Sequence, residues 1–148
     1  DDNFASLIAN IDYSWTMWDK NLYGFLEFYY SEIGTGDAKD AYSSRDLLEK
    51  MGRGEVFVTG RRYLGAGLQV ELTPLLNVDA AISASLDDGS CLVQPQVVWS
   101  MTRNTEVTAG VTSGFGGSGD AYGDLSVPGT RLSFDTGSGI YLWWTTYF

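Results

Sequence analysis

The stretch that decides the fold is GIYLWWTTYF, residues 139–148. It has the composition of a β-strand, because it is rich in aromatic and β-branched residues and contains no proline and no charge. Alternate residues of a strand share a face, so Ile140, Leu142 and Trp144 lie opposite Tyr141 and Trp143. Both faces carry rings, and neither is typical of a surface in bulk water. The two interpretations are a buried strand of a soluble sandwich and a strand with one face toward lipid.

Six earlier segments show the same alternation of an aliphatic face with a small, polar or acidic face. They are residues 4–15, 21–31, 55–72, 76–86, 91–101 and 105–113. Short turn signals separate most of them, at 16–20, 73–75, 87–90 and 102–104, and two long Gly-rich loops lie at 32–54 and 114–131. The pattern predicts an all-β chain of seven antiparallel, up-and-down strands in a single segment, residues 1–148.

The composition excludes several function classes. Histidine is absent, which removes the most frequent general base and metal ligand, and the single cysteine excludes an intrachain disulfide and a cysteine metal cluster. The net charge of −10 argues against a nucleic-acid partner. We therefore expect no enzyme activity, no cofactor and no metal centre.

The polar faces favour a membrane barrel over a soluble one. They carry Gly, Ser, Asn, Gln, Tyr and a few acids, whereas all three lysines fall in turns or loops. Small polar residues suit a confined wet interior, and strands of about ten residues match those that span a membrane as a barrel. We thus predict a transmembrane β-barrel in which the aliphatic faces meet lipid.

A transmembrane barrel would place some of these residues in its lumen and others at the two membrane interfaces. The expected lumen-facing set is Asp12, Glu27, Arg61, Gln69, Glu71, Asp79, Gln94, Gln96 and Glu106. The expected aromatic residues at the membrane interfaces are Trp15, Trp18, Tyr30, Trp99, Trp144 and Phe148. The loop pairs Asp37/Asp40, Asp87/Asp88 and Asp120/Asp124 offer oxygen ligands for calcium, but none follows an EF-hand pattern, and solvated loop acids are the ordinary alternative.

The chain resembles bacterial outer-membrane β-barrels of the porin type. GIYLWWTTYF, which ends on Phe148, is similar to their C-terminal assembly signal, and residues 61–111 resemble the last hairpins of porin-like barrels from Gram-negative bacteria. The resemblance implies location in the bacterial outer membrane, contact with membrane lipid and lipopolysaccharide, and insertion by the barrel-assembly machinery.

The strand count predicts a larger barrel. Bacterial single-chain barrels have an even number of strands with both termini in the periplasm. Counting back from Phe148 makes 32–54 and 114–131 extracellular, so the strand at 4–15 would start outside the cell. We expect a companion N-terminal barrel segment, or alternatively an eighth strand within 55–62 or 114–131.

Three functions fit these expectations. A passive channel for small solutes would lean toward cations because of the lumen acids. A structural barrel would anchor surface or periplasmic components, and a barrel enzyme would need a catalytic base from elsewhere. A soluble β-barrel or sandwich that binds a ligand remains the alternative outside the membrane.

Overall fold

The computed structural model describes residues 4–36, 49, 53, 58–126, 133–134 and 137–148. Within these ranges the strands are β1 (Ser6–Met17), β2 (Lys20–Ser31), β3 (Arg62–Thr73), β4 (Leu76–Ser85), β5 (Cys91–Thr102), β6 (Thr105–Phe115), β7 (Leu125–Ser126), β8 (Ser133–Phe134) and β9 (Ser138–Thr146). All except β7 and β8 form one antiparallel sheet, in the order β1-β2-β3-β4-β5-β6-β9. The prediction of an all-β fold with seven antiparallel, up-and-down strands is confirmed.

The seven described strands form an open sheet rather than a closed barrel. Strands β1 and β9 each pair with a single neighbour and are therefore its two edges. Because every neighbouring pair is antiparallel, the first and seventh strands run in the same direction. Direct pairing of the two edges would be parallel, so these strands alone do not close an all-antiparallel barrel.

The predicted boundaries differ from the structure at a few points. Strand β3 begins at Arg62, whereas the sequence predicted a start at 55, and residues 54–57 lie outside the described ranges. Most of the predicted loop 32–54 also lies outside them. In the predicted loop 114–131, the first residues continue β6, and β7 pairs only with β8 in a separate two-stranded sheet. Across the described ranges no eighth strand joins the main sheet.

The hairpin turns are tighter than predicted at the end of the sheet where β1 meets β2. Trp18 and Asp19 alone connect the strands, both with positive φ, at 52° and 56°. Two successive residues in the left-handed region make the type I′ turn, whose twist matches that of the flanking strands. Both strands therefore continue almost to the tip of the hairpin, at 12 residues each.

The register sorts the side chains onto two faces, which we name by their chemistry. The polar face carries the acids and amides, with Gln69 opposite Asp79 and Asp79 opposite Gln96. The apolar face carries rows of aliphatic residues, such as Leu68, Ala80 and Pro95 on β3, β4 and β5. A sheet face of this kind normally packs against a second layer or against lipid.

The sheet is a single layer with almost no core of its own. Among the described hydrophobic residues only Leu22 and Tyr63 are buried, while Ile140 is 87% exposed and Leu142 70%. The exposed apolar residues continue across the sheet to Ile11 in β1. Such an extended apolar surface is unfavourable in water and indicates that another apolar material covers it. In the described part of the chain no helix is long and apolar enough to cross a membrane.

Candidate functional site on the polar face

The structure places all the predicted lumen-facing residues except Arg61 on the polar face of a strand. They are Asp12 in β1, Glu27 in β2, Gln69 and Glu71 in β3, Asp79 in β4, Gln94 and Gln96 in β5, and Glu106 in β6. No lysine or arginine occupies a polar-face position in these described strands, since Lys20 and Arg62 stand at strand ends in register with the other face. Within the described strands, the polar face therefore carries acidic side chains and no basic one.

Arg61 lies just before β3 and holds a loop in place. Its Nε donates to the carbonyl of Gly34 at 2.6 Å, and its backbone nitrogen donates to the Asp87 carboxylate at 2.6 Å. Asp87 also accepts from the backbone nitrogen and the Nε of Arg62, each at 2.8 Å. The arginine thus joins the loop after β2 to the turn between β4 and β5.

A central cavity of about 390 Å³ brings four of the predicted residues together. Gln69, Asp79, Gln94 and Gln96 line it, together with the rings of Tyr23, Phe25 and Tyr141. Strands β2 and β9, which supply these rings, lie five strand spacings apart, or roughly 24 Å in a flat sheet. Their approach to one cavity is evidence that the sheet curves toward its polar face. The cavity includes neither Asp12 nor Glu106.

A hydrogen-bonded chain crosses the central cavity. The Tyr141 hydroxyl donates to Gln96 Oε1 at 2.9 Å, and Gln96 Nε2 donates to Asp79 Oδ2 at 3.0 Å. Gly110, which lies between Gln96 and Tyr141 in register, makes this chain possible. A Cβ at Gly110 would collide with the Tyr141 ring, so glycine there lets the ring lie across β6.

A second glycine supports a second ring in the same way. A Cβ at Gly67 would collide with three carbons of the Phe25 ring on the neighbouring strand. Neither Tyr23 nor Phe25 is among the site residues predicted from the sequence. The sequence signal that could have predicted these rings is the pair of glycines at alternate positions of β3, opposite a strand rich in aromatic residues. A ring fits over a neighbouring strand only where a side chain is absent.

A second cavity, of about 540 Å³, lies on the polar face near the short turns. Glu71 lines it and accepts a hydrogen bond from Asn21 Nδ2 at 2.9 Å. Asn21 in turn lies within 3.4 Å of the Thr16 hydroxyl. Glu71 is therefore held by a neutral partner at this end of the polar face.

The opposite end of the polar face is partly covered by residues 116–124. The Asp88 carboxylate accepts from the backbone nitrogen of Ala121 at 2.7 Å and from Ser90, while the Ser90 hydroxyl accepts from the backbone nitrogen of Tyr122 at 3.1 Å. Burial alone raises the pKa of Asp88, but the hydrogen bonds from Ser90 and Ala121 outweigh it and hold the pKa below its usual value. An ionised Asp88 thus fastens this loop to the turn between β4 and β5.

Tyr122 is the residue that this anchor places over the polar face. Its hydroxyl lies 2.6 Å from that of Ser83, and its ring packs edge-on against Tyr63 with centroids 6.1 Å apart. A smaller cavity of about 250 Å³ beneath it contains Glu27 and Tyr29. Tyr122 was not selected from the sequence, because a loop residue gives no periodic signal.

Most of the predicted interface aromatic residues gather at the end of the sheet with short turns. Trp15 packs on Tyr13 at 6.1 Å, and Trp18 at the turn is 83% exposed. Trp99 and Trp144 occupy the apolar face near the same end, and Phe148 follows β9 there. Tyr30 lies near the opposite end, paired with Leu7 and Arg62.

The described residues contain no group of three or more potential metal-ligating side chains. Asp87 and Asp88 are engaged by backbone and side-chain donors, and Asp37 and Asp40 lie outside the described ranges. No protein-family model, no curated protein and no solved structure matches this chain.

Proposed function

We propose that the chain supplies seven membrane-spanning strands of a porin-like β-barrel in a bacterial outer membrane, which acts as a passive channel for small solutes with a preference for cations. The observation that carries the proposal is the apolar face. It runs unbroken over seven strands of 9–12 residues and has almost no protein against it in the described part of the chain. Spanning strands of a barrel need about 9–11 residues.

The polar face supports the choice of a cation-leaning channel. Asp12, Glu27, Glu71, Asp79 and Glu106 stand on it with no lysine or arginine among the described strand positions beside them. Acidic side chains along a pore raise the local concentration of cations and lower that of anions.

The two edges support a companion segment. Because β1 and β9 run in the same direction, an all-antiparallel barrel needs an odd number of additional strands between them. Unpaired backbone groups do not remain exposed to hydrocarbon, so both edges require partners in a membrane. We propose that further barrel strands fill this gap, and that lipid, lipopolysaccharide and the barrel-assembly machinery are the other partners.

The test is conductance in a planar bilayer containing the full-length protein as its source produces it. We expect stepwise conductance and, under a tenfold KCl gradient, a reversal potential of the sign given by cation permeation. Glu71→Gln should reduce that potential, whereas Asp19→Asn, in the hairpin turn outside the polar face, should leave it unchanged. Absence of conductance, or a preference for anions, would refute the channel.

A second function, a non-conducting barrel that anchors other components, is favoured by one feature. Tyr122 and its loop cover part of the polar face at the long-loop end through Asp88 and Ser90. If the protein inserts in bilayers, conducts no ions, and still does not conduct after Tyr122→Ala, the anchoring barrel is the better description. A protein that stays in solution without detergent would instead support the soluble binding module.

A further inference from the structure

We infer that the central cavity binds a small organic cation through a primary ammonium or guanidinium group. This deepens the proposed channel by naming the solute class that its wall recognises, and it rests on that proposal in taking the polar face as the lumen. The cavity, of about 390 Å³, combines the carboxylate of Asp79 with the rings of Phe25 and Tyr141.

Three side-chain donors that line the cavity each make a hydrogen bond within the protein. The Tyr141 hydroxyl donates to Gln96, Gln96 Nε2 donates to Asp79, and Gln94 Nε2 donates to Thr112 Oγ1 at 3.4 Å. The same groups also offer acceptors to a ligand, namely the Gln94 carbonyl oxygen, the Tyr141 oxygen and the carboxylate. A ligand rich in donors therefore complements these acceptors, and the Asp79 carboxylate disfavours an anion.

The charge of the cavity lining also favours a cationic ligand. Asp79 Oδ1 is buried without a hydrogen-bond partner, and Asp79 Oδ2 accepts a hydrogen bond from the neutral amide of Gln96. Among the residues that the structure describes, no cationic side chain lines the cavity. A buried carboxylate oxygen without a partner is unfavourable, and a ligand cation in the cavity would supply a counter-charge beside Asp79.

The rings supply the second element of cation recognition. Phe25 lies over Gly67 and Tyr141 lies over Gly110, so each ring rests along the sheet where a Cβ would exclude it. Both rings line the cavity, and the faces of aromatic rings attract ammonium and guanidinium groups. Tyr23, whose centroid is 6.5 Å from that of Phe25, extends the aromatic wall.

The experiment compares two ligands of nearly the same shape. Benzylguanidinium and benzylurea differ mainly in charge, and each is titrated into detergent-solubilised full-length protein by calorimetry. Tryptophan fluorescence gives a second readout, because Trp143 lies 5.3 Å from the Tyr141 ring. We expect benzylguanidinium to bind at least tenfold more tightly than benzylurea, and benzylsulfonate not to bind.

Three variants locate the site. Asp79→Asn keeps an acceptor for Gln96 and should weaken benzylguanidinium binding tenfold or more, whereas Glu106→Gln removes one charge from the same face outside the cavity and should change binding less than twofold. Tyr141→Phe should weaken binding without abolishing it. Equal binding of benzylurea and benzylguanidinium, or equal losses in Asp79→Asn and Glu106→Gln, would overturn the inference.

Failure of the site and failure of the channel can be told apart. Selective binding in detergent by a protein that conducts no ions would support the site and refute the channel. Cation-selective conductance without any difference between the two ligands would support the channel and refute the site.

Discussion

Two neighbouring alanines in the middle of β4 give a stringent test of which face meets lipid. Ala80 and Ala81 are the fifth and sixth residues of the ten-residue strand, so they lie at nearly the same depth. Ala80 pairs with Leu68 and Pro95 on the apolar face, while Ala81 pairs with Gly67 and Gln94 on the polar face. Two variants with the same substitution at these positions therefore differ only in the face of the sheet that carries the new side chain.

Arginine at these positions should separate the two faces by about 2–4 kcal/mol. That is the cost of Arg on the lipid side of a barrel at the bilayer midplane. Ala80→Arg should lose about this much stability, whereas Ala81→Arg lies beside a negatively charged cavity and should cost less than about 1 kcal/mol. A difference of about 3 kcal/mol changes the unfolding equilibrium by roughly 100-fold.

The assay is reversible guanidinium unfolding in phospholipid vesicles, followed by tryptophan fluorescence. Ala80→Leu distinguishes lipid from a covering protein layer, because lipid accommodates the larger side chain, whereas a packed protein interior loses about 1–3 kcal/mol on overpacking. Equal stabilities of the two Arg variants within about 0.5 kcal/mol, or a marked loss in Ala80→Leu, would refute lipid contact at the apolar face.

Three further predictions concern the polar face and its loop. Gly110→Ala should displace the Tyr141 ring, break its bond to Gln96 and cost about 1–3 kcal/mol in the same unfolding assay, whereas Gly139→Ala, where a Cβ meets nothing within 4 Å, should have little effect. The pKa of Asp88 is lowered in the folded protein, so its contribution to loop docking is complete above its unfolded pKa of about 3.9 and is lost as pH falls below that value; protection of the Ala121 and Tyr122 amides from hydrogen exchange, measured relative to the intrinsic rate at each pH, should fall there, and protection that stays constant in acid would contradict the anchor. Asp88→Asn should accelerate the same amides at pH 7 without changing exchange in β2.

The sequence was sufficient for the strands and the faces because both depend on local alternation. Cross-strand register then follows from short turns, so Gln69, Asp79 and Gln96 could be expected on one face. The period of two in β9 likewise separated Ile140 and Leu142 from Tyr141.

Features that depend on contacts distant in the chain were not predictable in this way. Arg61 was assigned to a strand by its parity, but Asp87, on a turn 26 residues away, binds its backbone nitrogen ahead of β3. The position of Tyr122 depends on Asp88, 34 residues earlier, whose carboxylate accepts a hydrogen bond from the backbone nitrogen of Ala121. A contact of this kind leaves no periodic pattern in the sequence. The open edges of the sheet are a property of the assembled strands, and alternation within a strand carries no information about them.

The most direct test of membrane insertion is a nitroxide scan along β4 in lipid vesicles, with each residue from 76 to 85 replaced in turn by a labelled cysteine in a Cys91→Ser background. Collision with oxygen, which concentrates in lipid, is compared with collision with a water-soluble nickel complex. We expect oxygen contact to peak at Val78, Ala80, Ile82 and Ala84, and to fall at Asp79, Ala81 and Ser83, where the nickel complex should reach the label instead. Equal access of the nickel complex to both faces, or the absence of a two-residue period, would contradict a membrane-spanning sheet.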